Sequence, residues 1–235
     1  MARLANLFWR ALSGTQAHLA SGNDRCRRYA PGFPPIIAFA DPAHPDFQSL
    51  AQYCEPGDRF YVGEWRGSTP PGWTLEIDSM MCAMVLEKRT GSRTDLTPFI
   101  SRLAADHVPQ MIALAAHTKP GPFAQRPMEI GEWYGVFEGE RLVAMAGERA
   151  ADGNYREISG VCTLPEYQGR GYATEAATAL VEFALSDPRV QTVRAHTLPE
   201  PNASTRVLTR NGFRHLGEVM DPEDGRVWRW ELPRL

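Results

Sequence analysis

The chain has 235 residues, 43% hydrophobic and 23% charged, with a net charge of −3. That balance fits a folded globular protein able to bury a core, and it argues against a nucleic-acid module, which would need a basic stripe that no Lys/Arg block supplies. Cys26, Cys54, Cys82 and Cys162 stand far apart with no C-x-x-C pair, and the histidines show no ligand spacing, so no metal site is expected. No apolar run is long enough to span a membrane and no charged-then-apolar leader opens the chain, so the cytoplasm is the expected compartment.

In chain order, residues 1–20 carry Leu4, Leu7, Phe8, Leu12 and Leu19 at helical spacing, and Ser21-Gly22-Asn23-Asp24 ends that helix. Arg25, Arg27 and Arg28 read as a solvated turn. Residues 36–40 and 60–63 read as short strands, residues 47–53 as a short helix, and residues 73–87 as one or two further strands. The aromatic residues around Ser68–Gly72 fit packing better than ligand contact. Charge and Gly91 replace the apolar run between Lys88 and Asp95, which marks a boundary. From there the pattern predicts a helix over 103–117, strands over 132–137 and 142–146 joined at Glu138-Gly139-Glu140-Arg141, and a strand over 155–163. A Gly-rich turn and a helix over 174–185 follow. Then come a strand over 190–197, a helix over 203–210 closed by Asn211-Gly212, and a terminal hairpin over 213–220 and 227–232.

The stretch Gln168-Gly169-Arg170-Gly171-Tyr172-Ala173 sits between the strand and the helix. Two glycines let a ligand approach the backbone, and the first N–H groups of the helix have no partner within it. This is either an anion site or an ordinary strand–helix turn. It is not a Gly-x-x-x-x-Gly-Lys-Ser/Thr loop, nor a Gly-x-Gly-x-x-Gly turn. A second motif runs from Asn202 through Ser204 to Gly212-Phe213.

Together these motifs, in this order of elements, make the chain similar to the GNAT superfamily of acyl-CoA-dependent N-acyltransferases over residues 94–235. Its glycine-turn signature is Gln/Arg-x-x-Gly-x-Gly/Ala, and its second signature is an Asn/Ser helix ending in Gly-Phe. The presence of an extra N-terminal half resembles the two-part, glycine N-acyltransferase-like branch. The resemblance implies an α+β fold with the mixed central sheet of that family. It implies a GNAT-like acetyltransferase domain over 91–235 and an additional N-terminal α/β part, an accessory or degenerate acyltransferase half, over 1–90.

The resemblance also implies acetyl-CoA as co-substrate. Gln168, Gly169, Arg170, Gly171, Tyr172 and Ala173 would hold its pyrophosphate, and Val161, Cys162 and Thr163 would pair with pantetheine where the strand splays from the next one. Asn202 and Ser204 would lie near the thiol, with helix capping as their alternative role. The implied chemistry is attack of a neutral amine on the thioester, with the Val161 amide facing the carbonyl oxygen and Glu157 as base. Glu157 lies fourteen positions before Gly171, as in some histone-acetylating members, and alternation puts it on the face of Ser159, Val161 and Thr163. Glu148 and Glu132 are substitutes. Cys162 with His196 as an acyl-carrying pair is a further alternative. Many relatives carry a tyrosine where this chain has Leu208. The expected acceptor is a small-molecule amine taken by a monomer or homodimer, with no nucleic acid and no membrane partner. A protein N-terminus or lysine, or acyl-CoA binding without catalysis, are the other readings.

Overall fold

The computed structural model describes residues 6–63, 65, 67–87, 99–198, 202–215 and 226–231. In chain order the elements are α1 (Leu7–Ser13), β1 (Ala20–Gly22), β2 (Cys26–Tyr29), β3 (Ile36–Phe39), α2 (Phe47–Ala51), β4 (Arg59–Gly63), β5 (Thr74–Met80), β6 (Cys82–Glu87), β7 (Ile100–Arg102), α3 (Val108–Thr118), β8 (Trp133–Glu138), β9 (Arg141–Asp152), β10 (Tyr155–Thr163), α4 (Tyr172–Ser186), β11 (Thr192–Thr197), α5 (Ala203–Arg210), β12 (Arg214–His215) and β13 (Arg226–Glu231). They form two units, one ending at Cys82 but joined by the C-terminal strand, the other Ala83–Leu216. The strands build two mixed sheets, which agrees with the expected α+β class.

In the first unit the sheet order is β1-β2-β3-β4-β13-β5. Among the described residues the expected helix over 1–20 is α1 followed by a single 3-10 turn at Ala17–Leu19, and Ser21–Asp24, rather than stopping a helix, runs from β1 into the Asn23–Arg25 turn of a β1–β2 hairpin. Asn23 Oδ1 accepts from the N–H groups of Arg25 and Cys26 at 2.8 and 3.0 Å, which pins that turn. Arg28 is not solvated. It pairs with Asp58 at 2.7 Å and lies 4.5 Å from the Phe60 ring centroid. Phe39, Phe47, Trp65 and Trp73 pack ring against ring at 4.7–5.3 Å, so these aromatic side chains make a core. The terminal hairpin is corrected. β12 pairs with β6 in the second sheet, whereas β13 pairs with β4 and β5 in the first. The boundary expected between Lys88 and Asp95 lies outside the described residues; the units divide between Cys82 and Ala83.

The second unit has the order β12-β6-β11-β10-β9-β8-β7. Gly139-Glu140 closes the β8–β9 hairpin, with Gly139 at φ +60°. α4 puts Ala176, Ala177, Leu180, Val181 and Ala184 on one face, against Ala146, Ile158, Val193 and Ala195. α3 puts Met111, Leu114 and Ala115 against Trp133, Val143, Met145 and Cys162 on the other. Burial on both faces explains the near-continuous apolar run in β9, where alternation is lost.

The strand leading to the Gly turn breaks register. Ser159 opposes Gly147 and Cys162 opposes Met145, so three steps on β10 match two on β9. The extra residue is accommodated at Gly160, whose φ is +63°. Trp133 lies over this bulge, and its Nε1 donates to the Pro127 carbonyl at 3.1 Å. A Cβ on Gly160 would sit 2.7 Å from the indole, and one on Gly147 only 2.0 Å away. Gly147→Ala is therefore expected to lower stability by about 3 kcal/mol through overpacking. Gly139→Ala, where a Cβ meets nothing within 4 Å, should lose about 1 kcal/mol from backbone strain alone. Urea unfolding midpoints compare the two; equal losses would mean that Trp133 does not clamp the bulge.

Candidate active site

β10 and β11 run parallel, but their register ends at Glu157↔Arg194. Beyond it β10 continues to Thr163 and β11 to Thr197 without pairing, so the two strands form a fork. Gly160 and Val161 also stand outside the register pairs with β9. The expected splay is thus present at the end of β10 that feeds the Gly turn.

At that end lies a cleft of about 580 Å³, within the size range of small-molecule sites. Val161, Cys162 and Thr163 line it from β10, and Gln168, Gly169, Gly171, Tyr172 and Ala173 from the turn and α4. Ser204, Arg206, Val207 and Arg210 line it from α5, and His117, Thr118 and Lys119 from the end of α3. Among the described residues, no carboxylate lines it. Gly169 and Gly171 have φ values of +79° and +87°, with open space where a Cβ would point. Tyr167 and Gln168 donate back to Leu164 and Pro165, and Glu175 donates to the Gly171 carbonyl. Between them, the N–H groups of residues 169–174 have no protein acceptor among the described residues. The turn is therefore a concave set of unsatisfied donors at the positive end of a 15-residue helix. A diphosphate fits this donor set, and the two glycines leave room for it.

The other expected residues divide. Arg170 does not line the cleft. Its guanidinium lies 3.7 Å from Glu138 and 4.9 Å from the Tyr167 ring centroid, so only its backbone belongs to the turn. The Tyr172 hydroxyl is bonded to Glu138. Asn202 caps α5, accepting from the Thr205 N–H at 3.0 Å, and is not in the lining, whereas Ser204 is. Cys162 lines the cleft, but burial pushes its thiol up to about 11, which keeps it protonated and removes it as a nucleophile. Leu208 is buried in the core beside α4. Glu132 is held by Arg102 at 2.5 Å. Glu148 is buried, accepts from the Glu132 N–H at 3.0 Å, and burial raises its carboxyl.

Glu157 is fully buried and is not part of the lining. The alternation argument fails at the bulge. Val161 packs on the α4 side with Ile158, so Glu157, next to Ile158, faces the opposite side. There Glu157 Oε1 accepts from Arg149 at 2.5 Å and from His196 Nδ1 at 2.7 Å. His196 Nε2 in turn faces Arg194 Nη2 at 2.8 Å. A guanidinium only donates, so Nε2 must carry the lone pair and Nδ1 the proton. Burial, with Arg194 beside it, pushes His196 below the usual histidine range, against the pull of Glu157. Burial alone would raise the Glu157 carboxyl, but Arg149 and His196 outweigh it and hold it well below the carboxylate range. Oε2 is buried and has no partner among the described residues. His196 is in the unpaired part of β11, so this bond bridges the fork.

The functional residues that sequence reasoning missed are Arg206, Arg210 and Lys119 in the wall, and Arg149 and Arg194 around Glu157. The i,i+4 spacing of the two α5 arginines was the available signal for the first pair.

Both buried groups act on stability in one direction. Below about pH 6.5 the unfolded chain protonates His196 while the fold resists it. The stability from Glu157 is full above its unfolded value of about 4.3 and is lost as pH falls through its depressed folded value. Acidification from pH 6.5 to 5.5 should therefore remove about 1 kcal/mol more from the wild type than from His196→Gln, read by urea unfolding. Parallel pH profiles would contradict a neutral, buried His196.

Comparison with known proteins adds four findings. A family profile described as an acetyltransferase (GNAT) domain matches residues 98–214. A crystal structure of a GNAT-family protein from Novosphingobium aromaticivorans superposes with TM-score 0.84 at 28% identity, covering 98% of this chain and 99% of that one. A GCN5-related N-acetyltransferase from Kribbella flavida shares the fold at TM-score 0.59 and 14% identity, covering 100% and 96%. An uncharacterised N-acetyltransferase of Bacillus subtilis is 38% identical over 53 residues, 23% of this chain and 31% of the relative. The chain thus spans about a third of that curated relative's length.

Proposed function

Residues 98–214 are a GNAT acetyltransferase domain, and from that premise we propose that the chain moves an acetyl group from acetyl-CoA to the primary amine of a small molecule by direct attack on the thioester. The observation that carries this reading is the row of N–H groups at residues 169–174 that have no protein acceptor among the described residues, set at the mouth of a cleft where β10 has left β11. Those donors suit a diphosphate, and the unpaired edge of β10 through Val161, Cys162 and Thr163 suits the amides of an extended chain, as an added strand would.

Acetyl-CoA supplies an activated acyl group with a thiolate leaving group. The protein's part is to hold it, to steady charge on the carbonyl oxygen, and to receive a proton from the amine. The Val161 N–H, in the bulge, is the proposed donor to that oxygen. Glu157 does not line the cleft, so the amine proton would reach its free Oε2 through an intervening water. Leu208 is buried in the core, so the thiolate leaves without an acid from that position. Among the described residues the wall holds no carboxylate, which supports a small amine over a lysine-rich protein tail.

The test is amine-dependent thiol release from acetyl-CoA across a panel of amino acids, polyamines and aminoglycosides, with a peptide N-terminus as comparison. Turnover only with the peptide would sink the small-molecule acceptor. With a working acceptor, kcat/KM should rise with pH along the acceptor's own ionisation and show no limb from Glu157, because that carboxyl stays ionised. Glu157→Gln should lower kcat about a hundredfold without moving the limb. An unchanged rate would remove Glu157 from the reaction.

A further inference from the structure

Helix α5 has two unlike sides. Leu208 and Val207 pack inward against α4. Asn211 fastens the end of the helix, accepting from the Thr178 hydroxyl at 2.7 Å and donating to the Thr174 carbonyl at 3.3 Å. Arg206 and Arg210, one turn apart, are exposed and line the cleft. Lys119, at the end of α3, lines it as well. None of these three cations has an ion pair with the described residues. That is unlike Arg102, Arg126, Arg141 and Arg189, which are held by Glu132, Glu129, Glu166 and Asp187 at 2.5–3.0 Å. With no carboxylate in the wall among the described residues, their charges there reinforce one another.

We propose that Arg206 and Arg210, assisted by Lys119, form a subsite for a phosphate monoester, and that the group it takes is the 3′-phosphate of coenzyme A. The inference rests on the acyl-CoA reading above. The Gly turn offers neutral N–H donors, which suit a diphosphate that spreads its charge over two phosphorus centres. A terminal monoester gathers up to two negative charges on one phosphorus, and a guanidinium binds it through two parallel hydrogen bonds with full opposite charge. The subsite gives the cleft a means of telling coenzyme A from its 3′-dephospho form, which shares the diphosphate, pantetheine and thiol. Because the arginines are exposed, the selectivity is electrostatic and weakens with salt.

Titration calorimetry with coenzyme A and 3′-dephospho-coenzyme A tests this on the full chain, on wild type and on the double variant Arg206→Gln/Arg210→Gln. The wild type should bind coenzyme A about tenfold tighter at low salt, and the preference should shrink at 0.5 M salt. The double variant should bind both ligands alike, with dephospho-coenzyme A affinity and the thermal unfolding midpoint unchanged. Equal wild-type affinities, or a preference that survives in the variant, would overturn the subsite while leaving the acyl-CoA reading intact. A protein that binds neither ligand overturns the acyl-CoA reading and the subsite with it.

Discussion

The site depends on two neighbouring strands that part company. β10 and β11 are paired only as far as Glu157 and Arg194; the remaining six residues of β10 run toward the Gly turn without a ladder on that side. A strand edge inside a sheet leaves strong donors and acceptors in want of partners. The arrangement persists because the strand is fixed on its other side, by the pairs to Met145 and Ala144 beyond the bulge. Gly160 makes that bulge possible. Only a residue without Cβ can take the left-handed backbone beneath the Trp133 ring, and the one extra residue re-aims everything from Val161 onward.

The two faces of the fork then carry different electrostatics. On the α4 face the donors of the turn and the cations of α5, which have no protein partner among the described residues, offer what a polyanion would need. On the opposite face a carboxylate, an imidazole and two guanidinium groups are buried together. A buried charge without partners would be prohibitive, so the hydrogen bonds around Glu157 Oε1 are what permit it. The bond from His196 crosses the fork just past its last paired residues, which ties the unpaired part of β11 to β10 and limits how far the strands can part. The same network keeps Glu157 ionised across the working range, so it adds no titration of its own to the pH dependence.

Much of this was legible in the sequence. The element order of the second unit, the Gly turn and the boundaries of α5 follow from spacing and capping residues that act locally. Asn202 performs the capping that its position suggests, and Gly212, at φ +86°, takes the left-handed turn expected of Asn-Gly. What local pattern could not carry is long-range. The pairing of β13 with β4 and β5 depends on chain return over more than 140 residues. The face of Glu157 depends on a bulge whose only trace is a single glycine in a strand, a signal that has other meanings elsewhere. Arg28 looked like part of a charged turn because its partner, Asp58, is 30 residues away.

The central claim is that the N–H groups of residues 169–174 hold the diphosphate of the acyl donor. A 15N amide correlation titration with acetyl-CoA addresses it directly, residue by residue. The account predicts downfield shifts and slowed hydrogen exchange concentrated at Gly169, Arg170, Gly171, Tyr172, Ala173 and Thr174, with smaller changes along Val161–Thr163. Binding that leaves these amides unmoved while perturbing others would contradict it.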